Sequence, residues 1–130
     1  EDLISNLTKV KLPFEPNLIA QVGASGAIND HPHLARTISE NEIEYQRLFD
    51  YLEKNDFSPI PSVTNFICVK TGSAQKSTWL FENLLNQGVI IRPLSSNEMP
   101  EFVRISIGTK DEMNHFYEAM DKIISEYKKL

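Results

Sequence analysis

The sequence predicts an α+β fold, with a small mixed or antiparallel sheet covered by helices on one face and preceded by a long connecting helix. Residues 102–107 alternate strictly, with Val103, Ile105 and Ile107 on one side, which is the period of a strand that has one face in a core. After residue 60 the patterns follow the order strand, helix, strand, strand, helix. Before it, apolar residues recur at steps of three and four, as they do on one side of a helix.

Length and composition restrict the class of protein. The 130 residues support one domain with a core, or a domain with an extension. A net charge of -5 and a pI near 5.2 argue against nucleic-acid or membrane-surface binding, which favours a basic patch. The single cysteine, Cys68, cannot form an internal disulfide, which fits a cytosolic protein. Its apolar neighbours predict a buried and inert thiol.

The first thirty residues are predicted to form a linker and one helix. Residues 1–16 are polar and then irregular, and Pro13 and Pro16 push the residues before them into extended geometry. Asn17 can cap a helix that runs to about Asn29. An isolated helix so rich in small residues would be unstable, so we expect it to lie flush against a neighbour that this chain need not supply. The small residues are Ala20, Gly23, Ala24, Gly26 and Ala27.

A long helix is predicted from Pro32 to about Asn55, capped by Asp30 or His31. At more than about 30 Å, it is longer than so small a domain needs, and such helices often connect two domains. His31 and His33 do not form a metal site in this interpretation, because no second Cys or His pair exists in the chain. The stripe expected to face the core comprises Leu34, Ile38, Tyr45, Leu48, Phe49 and Leu52.

The second half of the chain supplies the sheet and two more helices. The prolines of residues 57–62 predict a loop, and residues 64–70 predict a strand. A helix follows to about Gln87, and Gly88 fits the left-handed position just past its end. Thr109 and Glu112 predict a capping box at the start of the closing helix. The inward residues are expected to be Trp79, Leu80, Leu84 and Leu85, and then Met113, Phe116, Tyr117, Met120, Ile123, Ile124 and Tyr127.

Two arginines are the candidate functional residues. Arg104 lies in the middle of its strand, on the face opposite the aliphatic one, and Arg92 closes the apolar run 89–91, which Pro93 ends. The turn formers between them could bring both guanidiniums to one rim of the sheet, where they would clamp a carboxylate or a phosphate. Alternatively, each arginine is a surface residue paired with an acid or with water. Asn65 is either a turn-closing amide or a site residue.

Reactive groups are missing from the sequence patterns. The five glycines are scattered, so no glycine-rich phosphate loop is present, and no lysine lies in a setting that suggests a Schiff base. No paired carboxylates or Ser/His/Asp grouping can be argued either. The residues therefore predict an anion-binding half-site without a reactive centre.

The arginine stretch, Gly88–Pro93 followed by Pro100–Thr109, resembles the C-terminal part of fold-type I aminotransferases, and most closely their histidinol-phosphate branch. Residues 10–17, the small-residue helix and the Pro-Ser-x-x-Asn-Phe motif of residues 61–66 resemble further segments of that family, in the same order. The resemblance covers nearly the whole chain. It implies that Arg104 binds the substrate carboxylate, that Arg92 helps to hold a substrate phosphate, and that Asn65 could support the site.

The resemblance also implies a larger enzyme. Its pyridoxal phosphate, with the Schiff-base lysine and the other cofactor contacts, belongs to a large domain upstream of this chain. Residues 1–30 would then be the linker and helix at the edge of that missing domain, and residues 31–130 the C-terminal small domain. The full protein is expected to be a cytoplasmic homodimer in histidine biosynthesis that transfers an amino group between histidinol phosphate and 2-oxoglutarate. The fragment alone is expected to be inactive.

Two alternatives remain open at this point. A decarboxylase of the same fold that acts on a phosphate-bearing substrate would carry similar arginines. From a different class of protein, a stand-alone regulatory module that binds a small anion could share the order strand, helix, strand, strand, helix. Such a module would not need the small-residue helix of residues 17–29, which favours the enzyme.

Overall fold

The structure is a computed structural model that describes residues 2–11 and 16–130. The chain divides into two compact units, Glu1–Ala35 and Arg36–Leu130. Within the described residues, no helix is long and apolar enough to cross a membrane. The elements in chain order are α1 (Asp2–Val10), α2 (Leu18–Ala27), α3 (His31–Lys54), β1 (Ser58–Ile60), β2 (Phe66–Lys70), α4 (Ala74–Asn86), β3 (Arg92–Pro93), a 3₁₀ turn (Ser95–Asn97), β4 (Phe102–Ser106) and α5 (Lys110–Tyr127).

The first unit contains a helix that is not among the sequence-based predictions. Residues 2–10 form α1, whereas the expectation is a polar and irregular segment. Its apolar side chains fall on one side of a helix, so the signal for α1 is present in the sequence although the prediction overlooked it. The predicted extended segment at residues 12–15 lies outside the described residues. The apolar residues of α1 are Leu3, Ile4, Leu7 and Val10.

Helix α2 begins and ends close to where the sequence predicts. The side chain of Asn17 accepts a hydrogen bond from the backbone N–H of Ala20 at 2.9 Å, which confirms the predicted cap. Every described residue of the first unit is exposed, including Ile19 at 84% and Leu18 at 74%. Neither α1 nor α2 therefore has a buried face in this structure.

Helix α3 confirms the predicted long helix, with one of the two candidate caps in use. The carboxylate of Asp30 accepts from the N–H of His33 at 3.1 Å. The predicted stripe is only half correct, because Leu48 and Leu52 are fully buried whereas Leu34 is 56% exposed and Ile38 50% exposed. The buried residues of α3 are Glu44, Leu48 and Leu52, so only the C-terminal half of the helix supplies buried side chains to the core.

The four strands form one antiparallel sheet in the order β1-β2-β4-β3. The prediction of a loop over residues 57–62, which is based on the prolines, is wrong, because Ser58–Ile60 form strand β1. It tolerates Pro59 because it is an edge strand, which pairs on one side only. Strand β3 also differs from the prediction, because pairing covers Arg92–Pro93 rather than the apolar run 89–91. The α+β class and the single helix-covered face are as predicted.

The core lies between the sheet and the helices of the second unit. The aliphatic face of β4 is buried as predicted, with Val103 at 0% and Ile105 at 3% exposure. The prediction that Leu85 points inward is wrong, because its side chain is 45% exposed, one residue beyond the buried Leu84. The capping box of α5 is present, and Gly88 has a φ of +79°, as predicted. Other buried members of this core include Ile67, Val69, Leu48, Leu52, Leu80, Met113, Phe116, Met120 and Ile123.

Candidate anion-binding site

The pairing register places the two candidate arginines opposite one another. Arg92 in β3 pairs with Arg104 in β4, and Arg104 in turn pairs with Cys68 in β2. Residues directly opposite in an antiparallel pair project to the same face of the sheet. The buried residues Ile67 and Val103 occupy the other face, where the helices lie. Arg92 and Arg104 therefore share the face that the helices of this unit leave open.

We call this surface the open face and define it by Phe66, Cys68, Arg92, Phe102 and Arg104. Arg92 is exposed, and the other four side chains are partly buried. Sequence reasoning places Cys68 in the core, but the alternation of β2 turns Ile67 and Val69 inward and Cys68 outward. The sequence could not show this, because an unbroken apolar run conceals which alternate residues are covered.

The two arginines carry no ion pair among residues 2–11 and 16–130. The described ion pairs join Arg47 to Glu44, Lys70 to Glu101, and Lys128 to Asp56. The Nε of Arg104 is buried and has no hydrogen-bond partner among the same residues. A buried donor without a partner costs about 1–3 kcal/mol. The open face thus holds two facing cations that an external anion can satisfy.

One aromatic ring supports Arg104 from the neighbouring strand. The guanidinium carbon of Arg104 lies 5.1 Å from the centre of the Phe66 ring, within the range of a cation–π interaction. Sequence reasoning missed this residue as part of the site. Phe66 and Cys68 alternate on β2 just as Phe102 and Arg104 do on β4, but only the register shows that the two sets meet.

Asn65 is not among the residues that the register places beside the arginines. It precedes β2, is exposed, and lines a groove together with Asn41 and Tyr45 of α3. Its backbone carbonyl accepts a hydrogen bond from the N–H of Ile107 at 2.8 Å, whereas its side chain has no partner in the described part of the chain. The observed bond extends the pairing of β2 and β4 by one residue.

The tyrosines whose pKa values are raised lie in the helix layer, behind the sheet. Burial raises the pKa of Tyr117 to about 12, and the guanidinium of Arg47 lies 4.4 Å from its ring centre. Burial and a hydrogen bond to Asp121 at 2.7 Å raise the pKa of Tyr51 further. These phenols remain neutral at physiological pH and serve the packing of α3 on α5. The described residues include no group of three His, Cys, Asp or Glu side chains that could hold a metal ion.

Comparison with known proteins gives one consistent family. Residues 1–120 match the family model for aminotransferase class I and II. The chain is 37% identical over 126 residues to histidinol-phosphate aminotransferase 2 of Hydrogenovibrio crunogenus, covering 96% of this chain and 33% of that protein. It is also 37% identical over 119 residues to the enzyme of the same name from Pseudomonas fluorescens, covering 92% of this chain and 32% of that protein.

The fold agrees with a solved structure of the same kind. The crystal structure of histidinol-phosphate aminotransferase from Sinorhizobium meliloti, in complex with pyridoxal-5'-phosphate, superposes with a TM-score of 0.75. It is 24% identical, and the match covers 93% of this chain and 33% of that chain. The chain therefore spans about a third of the length of the curated relatives it matches.

Proposed function

The chain belongs to the class I and II aminotransferase family, and we propose that it is the C-terminal domain of a histidinol-phosphate aminotransferase. The whole enzyme would use pyridoxal phosphate to transfer an amino group between histidinol phosphate and 2-oxoglutarate in histidine biosynthesis. The relatives named above support this assignment through identities of 37% along nearly the whole chain. Neither the phosphate-substrate decarboxylase nor the stand-alone regulatory module draws support from these matches.

The task of this chain in the reaction would be to bind and orient the substrate anion. Arg104 would receive the carboxylate and Arg92 the phosphate, and the observation that carries this is their facing register on the open face. A guanidinium presents a planar fork that matches either anion with two parallel hydrogen bonds. One charge-assisted hydrogen bond contributes about 1.5–3 kcal/mol, which corresponds to roughly a tenfold to hundredfold change in affinity.

Covalent attachment of the cofactor would fall outside this chain. Lys70, the lysine nearest to the open face in register, is about half exposed and pairs with Glu101 at 3.4 Å. A lysine that forms a Schiff base is typically desolvated in an apolar pocket, which an exposed lysine paired with an acid is not. The residues of the open face therefore do not fit the attachment site of pyridoxal phosphate. The large domain would supply it.

Residues 1–30 would be the linker and helix at the edge of the large domain, and residues 31–130 the small domain. Two observations support this division. The described residues of the first unit have no buried side chain, whereas the second unit has its own core. The exposed apolar side chains of the two N-terminal helices would then pack on parts of the enzyme upstream of this chain. The homodimer and the cytoplasmic location expected from the family belong to the same proposal.

The test uses the whole protein loaded with pyridoxal phosphate, in which histidinol phosphate should shift the cofactor absorbance and 2-oxoglutarate should restore it. Arg104→Gln should raise the KM for 2-oxoglutarate, the substrate that carries the carboxylate, at least tenfold. Arg92→Gln should raise the KM for histidinol phosphate more than that for an analogue lacking the phosphate. Lys122→Gln, which removes an exposed cation from α5, is the matched control and should change neither KM. An unchanged KM for 2-oxoglutarate in Arg104→Gln would refute the assignment.

A further inference from the structure

We propose that Phe66 is a positioning residue for Arg104, and that its ring fixes the direction in which the guanidinium meets the substrate anion. This inference rests on the proposed function, because it assigns a supporting role within the same site. It concerns the aromatic residue that opens strand β2 rather than either arginine. It also goes beyond the family assignment, since it depends on a contact between two particular strands.

The inference depends on what else could hold Arg104 in place. In the described part of the chain its guanidinium makes neither a hydrogen bond nor an ion pair, and its Nε is buried. Glu101, the acid beside the same strand, is already paired with Lys70. Polar contacts therefore do not fix the orientation of this side chain before an anion arrives. The ring of Phe66 lies 5.1 Å from the guanidinium carbon, and this contact can fix the orientation of the side chain.

The position of Phe66 follows from the sheet. Phe66 pairs with Ser106 and Cys68 pairs with Arg104, so Phe66 lies diagonally across from Arg104 on the open face. A diagonal pair in an antiparallel sheet is within reach of long and aromatic side chains. A ring fixed by the backbone of β2 limits the rotamers open to the arginine while leaving its terminal nitrogens available. Less conformational freedom is then lost when the anion binds.

A matched control is available on the other side of the sheet. Phe49 of α3 is partly buried against the core, and its ring centre lies 5.8 Å from that of Tyr45. Phe49→Leu therefore makes the same change of side chain in the helix layer, outside the open face.

The experiment measures kcat and KM of the whole enzyme, loaded with pyridoxal phosphate, with 2-oxoglutarate as the varied substrate. Phe66→Leu should raise KM about 3- to 10-fold, since it removes a cation–π contact with a partly desolvated arginine. Phe66→Tyr should restore KM to within about twofold because it keeps the ring face. Phe49→Leu should leave KM unchanged. If Phe66→Leu prevents folding, Phe66→Met takes its place, since its unbranched side chain adapts to the space that the ring leaves.

A second mutation separates this inference from the proposed function. In an Arg104→Gln background, Phe66→Leu should have no further effect on KM, because the residue it positions is gone. A KM that is unchanged in Phe66→Leu but raised in Arg104→Gln would overturn the positioning role and leave the function standing. A KM that is unchanged in Arg104→Gln itself would overturn the proposed function. Equal effects of Phe66→Leu and Phe49→Leu would also overturn the inference, since a general loss of packing in the domain would then be the cause.

Discussion

The position of Arg104 lowers the stability of the domain when no anion is bound. It lies partly buried, faces Arg92, and keeps a buried Nε without a partner among the described residues. Two facing cations and an unpaired donor both disfavour the free state, and an anion with two or more oxygens relieves both at once. Such an arrangement is typical of a residue retained for binding rather than for stability. Strand β4 nevertheless remains fixed, because its other face contributes fully buried aliphatic side chains to the core.

The planar set of donors on the Arg104 guanidinium should contribute to anion binding in addition to its charge. Arg104→Lys keeps one positive charge but replaces the planar pair of donors by a single ammonium. We therefore expect the KM for the keto-acid substrate of the whole enzyme to rise about tenfold in this variant, because one of two charge-assisted hydrogen bonds is lost. Steady-state kinetics would check this. A lysine variant with wild-type KM would show that charge alone is recognised.

A second residue-scale prediction concerns a buried hydroxyl pair behind the sheet. The hydroxyl of Thr71 lies 2.8 Å from the Ser77 hydroxyl and 2.8 Å from the Glu101 carbonyl. Thr71→Val should lower the free energy of unfolding by about 1–3 kcal/mol, because it leaves the Ser77 hydroxyl buried without a partner. Urea denaturation followed by the fluorescence of Trp79, the single tryptophan, would measure it. Ser77→Ala removes the stranded hydroxyl itself, so the double variant should recover part of the loss.

At the scale of the element, the start of α5 is fixed by a local motif that the sequence predicts well. Thr109 accepts from the N–H of Glu112, and the Glu112 carboxylate accepts from the N–H of Thr109 at 2.7 Å. The sequence does not show why residue 108 is glycine. Its φ is not positive, but a Cβ there would lie 2.7 Å from Oε2 of Glu112 and 3.0 Å from its Cβ. The capping box needs that space.

The capping box gives a prediction with a defined sign. The N–H and hydroxyl of Thr109 lower the pKa of Glu112 below its ordinary value of 4.5. A carboxyl group whose pKa is lower in the folded state stabilises the fold above its unfolded pKa, and this contribution disappears as pH falls through the folded pKa. The melting temperature of Glu112→Gln should therefore lie below wild type at pH 7 and approach it below pH 4. Parallel curves over this range would contradict the assignment.

Gly108→Ala tests the same capping box by a change at the residue that precedes Thr109. The added methyl group should displace the Glu112 side chain from Thr109, so the variant should show the reduced pH dependence of Glu112→Gln. Thermal unfolding between pH 3 and pH 7 would measure it. Gly23→Ala is the matched control, since a Cβ at Gly23 meets nothing within 4 Å. A Gly108→Ala variant with wild-type pH dependence would show that the helix start tolerates the methyl group.

For the whole molecule, sequence patterns predict what is periodic and local. The α+β class, the caps of α2 and α5 and the inward face of β4 all follow from spacing and turn chemistry. Strand β1 and the contact of Phe66 with Arg104 do not, because each depends on which strand lies beside which. The outward direction of Cys68 does not either, because it depends on which face of β2 the helices cover. Helix α1 is a different case, since its apolar residues do recur at helical spacing and the expectation of an irregular segment overlooked them.

The division into two units leads to the last prediction. The described part of residues 1–35 has no buried side chain, whereas residues 36–130 hold the core, so only the second unit should unfold cooperatively. A chain that begins at Asp30, which keeps the cap of α3, should show the same transition midpoint by Trp79 fluorescence as residues 1–130.

In hydrogen exchange, amides of α1 and α2 should be unprotected in the 130-residue chain, because isolated short helices are marginal in water. They should gain protection in the whole enzyme if the large domain covers Ile19 and Leu18. Strong protection of α2 in the chain alone would mean that it needs no such neighbour.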